Sequence, residues 1–172
     1  MISKKICMLG AFAVGKTALV EQYVRSIFSN RYLSTVGVKI SKKACRVGEQ
    51  DINLVLWDME GKDEYNEINA FYLRGAMGFF LVADGTRKDT LNTALLIRLL
   101  VLEAVGQIPH YLLLNKADLA ADWQVLEEDI AHLERQGIQV LKTSAKTNEG
   151  VEAAFGKLTE AMLREQHQTP AP

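Results

Sequence analysis

The sequence predicts an α/β fold, with helices on both faces of a six-stranded, mostly parallel sheet, and three observations point to it. Short β-branched or aromatic runs alternate with longer helical patterns, the order that βαβ units require. Two of the runs are separated only by Gly48-Glu49-Gln50-Asp51, a hairpin-length connection that makes one pair antiparallel. A glycine-rich stretch joins the first strand to the first helix.

In chain order, the candidate strands are Lys4–Leu9, Val38–Val47, Ile52–Trp57, Gly78–Asp84, His110–Asn115 and Ile138–Thr143. The first helix begins near Gly15. After the fourth strand, Leu91, Leu95, Leu99 and Leu102 form a helical stripe. Leu96, Ile97, Leu100 and Val101 make that helix apolar on more than one side, which reads as deep burial or as a partner-binding face. Leu126, Ile130 and Leu133 form the next stripe, closed by Gly137 in a helix-stop position. Val151, Ala154, Phe155, Leu158 and Met162 form the last, at helical spacing. Residues 1–165 read as one domain and 166–172 as a disordered tail.

The 172 residues fit a single domain, and 48% hydrophobic content is enough for a real core. Twenty basic against 21 acidic residues, net −1, provide no field for nucleic acid or anionic lipid. Two cysteines are too few for a disulfide scaffold. Nothing resembles a signal peptide or a stretch of ~20 apolar residues that could span a bilayer. A cytoplasmic protein is expected.

Gly10-Ala11-Phe12-Ala13-Val14-Gly15-Lys16-Thr17 fits the phosphate-loop pattern G-x-x-x-x-G-K-[ST]. Glycines let the backbone wrap so that successive N–H groups face phosphate oxygens, and the following helix adds its positive end. Lys16 would reach the β- and γ-phosphates, and the Thr17 hydroxyl would ligate Mg²⁺. The loop implies a nucleoside triphosphate but leaves the base open.

The base is indicated further along. Asn115-Lys116-Ala117-Asp118 follows the apolar strand Tyr111–Leu114, and in such folds ligands sit at the carboxyl ends of parallel strands. The acceptor-only Asp118 can take two hydrogen bonds from an edge offering N–H and NH₂ side by side. Guanine has that edge and adenine lacks it. Thr143-Ser144-Ala145-Lys146 again follows a strand end, where a backbone N–H can meet the guanine carbonyl.

With these motifs in this order, the chain resembles the Ras-like small GTPases, nearest to the Rab branch, from Lys4 to about Leu163. The resemblance also rests on Thr35 in Ser34-Thr35-Val36-Gly37-Val38 and on Trp57-Asp58 followed by Gly61. It implies a P-loop NTPase fold (G domain) whose only antiparallel strand, Val38–Val47, lies at one edge. There Lys39, Lys42, Lys43 and Arg46 would discourage unwanted pairing, and Cys7 and Cys45 would lie two strands apart, too far for a disulfide.

The resemblance implies GTP/GDP as ligand and Mg²⁺ as cofactor. Contacts to the nucleotide would come from Gly10, Ala13, Val14, Gly15, Lys16, Thr17, Ala18, Phe28, Thr35, Gly61, Asn115, Lys116, Asp118, Ser144, Ala145 and Lys146. Phe28 would stack on guanine. Thr17, Thr35 and Asp58 would serve the metal, Asp58 through water, and the Gly61 N–H would sense the γ-phosphate. Catalysis would fall to Lys16, Thr35, Gly61 and the residue at 62. Partners would be a protein effector, an exchange factor and an activating protein.

Departures from the family pattern fall on catalysis. Lys62 stands where the family commonly has Gln to orient the attacking water. An ammonium has donors but no acceptor, although it can neutralise charge developing on phosphate. Phe12 stands where the family is small, crowding the approach of a partner's arginine. Ala13 and Glu60 also differ, Glu60 reading as a water-positioning substitute or a solvated switch charge. The expectation is tight Mg²⁺·GTP/GDP binding with slow hydrolysis. The alternatives are a GTP-bound interaction module with negligible turnover and, more remotely, an ATP-using phosphotransferase sharing only the loop. The tail holds no prenylation cysteine and Ile2 no myristoylation glycine, so no direct membrane anchor is expected. The missing anchor and the altered switch fit a prokaryotic member.

The three histidines are scattered without ligand spacing, and Asp84 and Glu103 read as structural.

Overall fold

The computed structural model describes residues 2–29, 36–59, 61 and 70–168. Along the chain run β1 (Ile2–Gly10), α1 (Lys16–Arg25), β2 (Val38–Val47), β3 (Gln50–Met59), α2 (Ala70–Leu73), β4 (Gly78–Asp84), α3 (Lys88–Val105), β5 (His110–Asn115), a 3₁₀ segment (Ala117–Asp122), α4 (Glu127–Arg135), β6 (Val140–Lys142) and α5 (Val151–Gln168). The strands form one sheet in the order β2-β3-β1-β4-β5-β6. Every neighbouring pair is parallel except β2 with β3, and β2 lies at the edge, as expected.

The β2–β3 hairpin is tighter than the sequence indicated. Val47 pairs with Gln50, so only Gly48 and Glu49 turn the chain. Gly48 takes φ +59°, the left-handed value that suits glycine at the head of such a turn. Cys7 in β1 and Cys45 in β2 are both free thiols, with β3 between their strands.

The sheet separates two apolar layers. On one face Ile6, Met8, Phe80 and Leu113 pack under α1 and α5, whose Val151, Ala154, Phe155, Leu158 and Met162 all point inward as the periodicity requires. Tyr23 of α1 stacks on Phe155 of α5 at 3.8 Å between ring centroids, and Phe80 meets Phe155 edge-on at 4.9 Å. On the other face Cys7, Leu9, Phe79 and Leu81 pack under α3 and α4.

Three expectations need correction. In α3, the residues turned to the sheet are Leu91, Ala94, Ile97 and Val101, while Leu96, Leu99 and Leu100 are exposed, so deep burial of the whole helix fails. Helix rotation is set at its start, where the buried Thr90 hydroxyl accepts the Asp84 N–H at 2.9 Å and donates to Arg87 O at 2.7 Å. Leu126 is not on the buried stripe of α4. It precedes the helix, exposed, and its N–H donates to the Asp129 carboxylate at 2.9 Å.

The last strand also begins later than Ile138. Gly137 at φ +81° ends α4, with its N–H on Glu134 O at 2.9 Å and the Ile138 N–H on Leu133 O at 3.0 Å. That paired closure is the Schellman arrangement, in which the apolar residue after the glycine packs back on the helix. Ile138 belongs to the helix stop and not to the sheet. At the other end of the chain, α5 continues to Gln168, into the segment read as tail; residues 169–172 lie outside the described residues.

Lys4 breaks the apolar pattern. It is fully buried in β1, opposite Leu54, and its Nζ has no hydrogen-bond acceptor among the described residues. Burial lowers its basicity. Replacing Lys4 with Met removes an unmet desolvation cost and should stabilise the fold by about 1–3 kcal/mol, each raising Tm by roughly 2–4 °C in a chain of this size. A Tm that falls in thermal melts would show that the ammonium is solvated or paired after all.

Candidate nucleotide-binding site

The carboxyl ends of β1, β3, β4, β5 and β6 open onto one crevice, because parallel strands all finish on the same side of the sheet. Gly10 closes β1 with φ +149°, and Gly15 stands before α1 with φ +101°. Neither tolerates a side chain: an added Cβ would overlap Val82 O at Gly10 and Asn115 Nδ2 at Gly15. Between them the loop arches so that the N-terminal turn of α1, from Lys16 to Ala18, faces the crevice. Ala13 takes the left-handed φ of +61°, a conformation that costs a side chain roughly 1–2 kcal/mol.

Lys16 is buried and folds back over its own loop, its Nζ donating to Gly10 O at 2.9 Å and to Ala11 O at 2.7 Å. Gly61 presses on the same spot: a Cβ there would lie 2.6 Å from Ala11 O and 2.7 Å from both Lys16 Nζ and Phe12 Cα. The Thr17 hydroxyl donates to Asp58 Oδ2 at 2.5 Å, joining the start of α1 to the buried end of β3. These are hard oxygen donors, the set Mg²⁺ prefers, so the residues present fit that ion.

The segments after β5 and β6 are tied to the phosphate loop by one side chain. Asn115 Nδ2 donates to Val14 O at 3.0 Å, while its Oδ1 accepts the Thr143 hydroxyl at 3.2 Å and the Ala145 N–H at 3.3 Å. Asp118 is exposed to the crevice and its Oδ1 accepts the Ser144 hydroxyl at 2.6 Å. Lys146 is exposed, and Phe28 lies beyond the end of α1 with 38% of its surface open. Phe12 is likewise exposed, at 43%, on the outside of the loop. Gly10, Ala13, Val14, Gly15, Lys16, Thr17, Ala18, Asp58, Gly61, Asn115, Lys116, Ser144 and Ala145 therefore sit on adjoining segments. Thr35, Glu60 and Lys62 lie outside the described residues.

Asp84 does more than the sequence reading allowed. It is 1% exposed, and its Oδ2 accepts Lys116 Nζ at 2.6 Å and Arg87 Nε at 3.3 Å. Its Oδ1 accepts the N–H and hydroxyl of Thr86 at 2.9 and 2.7 Å. Burial pushes this carboxyl up, but the hydrogen bonds from Lys116 and Thr86 outweigh it and hold it below the usual carboxylate range. Trp123 was also missed. Its Nε1 donates to Lys116 O at 2.9 Å, and its indole occupies the space a side chain at Gly85 would fill. The available signal for Asp84 was position: it ends a parallel strand in register with Asn115. Trp123 carried no such signal.

A phosphate loop, the Asn115-Lys116-Ala117-Asp118 tetrapeptide and a third loop at the ends of a parallel sheet define a P-loop nucleotide-binding protein. The Ras family matches residues 5–164 of this chain. Among curated relatives, the Ras-related protein Rab-13 of Mesocricetus auratus is 34% identical over 161 residues, covering 92% of this chain and 79% of that protein. The Ras-related protein Rab-3 of Caenorhabditis elegans is 33% identical, covering 91% of this chain and 72% of that protein. The Ras-related protein Rab-1 of Theileria annulata is 29% identical, covering 97% and 77%. The chain belongs to the Ras family, and it is a GTP-binding molecular switch with GTPase chemistry. Regulators and effectors are part of how such switches work. No described helix is long and apolar enough to cross a membrane.

Gly15→Ala should abolish nucleotide retention, since it forces a left-handed alanine against the Asn115 amide and separates the base-reading loops from the phosphate loop. Gly106→Ala, also at positive φ but with nothing within 4 Å of its Cβ, should cost only about 1–3 kcal/mol of strain and leave nucleotide bound. Co-purified nucleotide, quantified after denaturation, separates the two.

Proposed function

We propose that this chain binds Mg²⁺ with GTP or GDP and hydrolyses GTP slowly. The observation that carries this reading is the Asn115 side chain, which joins the phosphate loop to both base-reading segments and so makes one site of three loops. In it, the loop from Gly10 to Ala18 wraps the phosphates, Lys16 leaves its loop carbonyls for β- and γ-oxygens, and Asp118 reads guanine. Phe28 closes on the base from one side and the stem of Lys116 from the other, with Ser144, Ala145 and Lys146 lining the guanine carbonyl.

Thr17, Asp58 and Thr35 would hold Mg²⁺, Asp58 through water, with Thr35 also meeting the γ-phosphate. Held by these residues, the ion would neutralise negative charge on the phosphates. Gly61 and Thr35 sense the terminal phosphate, and its loss releases the loops that an effector reads. Exchange and activating proteins would set the timing. A cytoplasmic setting suits the two free thiols.

Slow turnover follows from two residues. Lys62 offers no acceptor for the attacking water, and Phe12, exposed on the loop, stands where a partner's arginine would approach. The same exposed Phe12 favours the second reading, a GTP-bound interaction module with negligible turnover.

Two experiments test these readings. Asp118→Asn should weaken guanine binding about 100-fold, taking roughly 1.5–3 kcal/mol for the one charged hydrogen bond that the amide cannot accept, and shift preference toward xanthine. Unchanged preference in competition binding would remove Asp118 from base recognition. Lys62→Gln should speed single-turnover hydrolysis about tenfold, equivalent to about 1.4 kcal/mol of barrier. If the rate is unchanged, Lys62 does not set it; if the wild type shows no turnover at all, the module reading takes over.

A further inference from the structure

Arg87, between β4 and α3, has no part in the motifs above. Its Nη2 donates to Phe12 O at 2.8 Å and its Nε to Asp84 Oδ2 at 3.3 Å. The same Asp84 oxygen accepts Lys116 Nζ at 2.6 Å. A continuous chain of charged hydrogen bonds thus runs from the outside of the phosphate loop to the lysine of the base-reading loop.

We propose that Arg87 is a positioning residue for bound nucleotide, acting through the Phe12–Ala13 peptide. This rests on the reading that the phosphates occupy the Gly10–Thr17 loop. In a planar trans peptide, the carbonyl of one residue and the N–H of the next point in opposite directions. A guanidinium holding Phe12 O on the outer side therefore fixes the Ala13 N–H on the inner side, toward the phosphates. It also polarises that peptide, strengthening the N–H as a donor.

The loop needs this support. Ala13 sits at φ +61°, and such strain persists only where surrounding structure enforces it. Arg87 is enforced in turn, because Asp84 is held by Thr86 and Lys116 as well. A planar fork spans two acceptors at once, which an ammonium cannot do in the same geometry. Arg87 is 38% exposed at its side chain, so its replacement leaves the core intact.

The test measures release of fluorescent GDP and GTP analogues from the full chain into excess unlabelled nucleotide, with thermal melts beside it. Arg87→Ala should accelerate release of both about ten- to a hundredfold, the range one charged hydrogen bond supplies. Arg87→Lys should restore only part of the loss, and guanine-over-xanthine preference should persist because Asp118 is untouched. In the GDP-bound protein, the Ala13 amide proton resonance should move upfield in Arg87→Ala. Unchanged release and an unmoved Ala13 amide, with only Tm lowered, would overturn the proposal in favour of a purely structural arginine. Slower hydrolysis with unchanged release would also overturn it and place the guanidinium on the reacting phosphate. A wild-type protein that binds no guanine nucleotide would instead overturn the reading on which the proposal rests.

Discussion

The crevice depends on the carboxamide of Asn115. An amide side chain carries donors on one atom and acceptor capacity on the other, and here both ends are used. The nitrogen holds Val14 O in the phosphate loop, and the oxygen holds Thr143 and Ala145 beyond β6. A carboxylate at this position would lose the donor, and a hydrophobic residue would lose all three bonds. Asn115 is 2% exposed, so those bonds form away from water, where an unmet partner costs most. Gly15 completes the arrangement by leaving room for the amide.

Such a junction is possible only because the sheet brings its strand ends together. β1, β4 and β5 lie side by side and parallel, and in register Asp84 faces Asn115 while Gly10 faces Val82. Residues far apart in sequence therefore start their loops from the same edge. Below it, the apolar layers under α1 and α5 and under α3 and α4 hold the strands in place. Burial on both faces makes the central strands rigid supports, and the loops inherit their positions from them.

Much of this was legible in the sequence because the relevant signals are local. A glycine-rich loop, an apolar strand followed by Asn115-Lys116-Ala117-Asp118, and a helical stripe such as Val151 to Met162 each declare themselves within a few residues. What could not be read depended on backbone conformations and hydrogen-bond partners that no periodic pattern declares. The rotation of α3 is set by Thr90 reaching back to Asp84, which periodicity among eight leucine, isoleucine and valine positions could not resolve. Ile138 looked like strand because its role in closing α4 requires knowing that Gly137 turns left-handed. Arg87 was silent for the same reason: it ties Asp84 at the end of β4 to Phe12 O in the phosphate loop, 75 residues earlier.

The three carboxylates of the crevice illustrate how placement divides one chemistry into several roles. Asp58 and Asp84 lie at the ends of β3 and β4 and Asp118 lies just past β5, yet their surroundings differ. Asp58 is buried against the Thr17 hydroxyl, an all-oxygen setting suited to a divalent cation. Asp84 is buried among cations and the Thr86 donors. Its charge is already committed, so it organises Arg87 and Lys116 and has little left to offer a ligand. Asp118 is exposed, with the Ser144 hydroxyl engaging only one oxygen, so it alone of the three faces solvent with acceptor capacity for a base edge. Sequence reasoning singled out the first and third by their motifs. The second became visible only when the structure showed which cations it holds, and it is the one that connects Lys116 to the phosphate loop through Arg87.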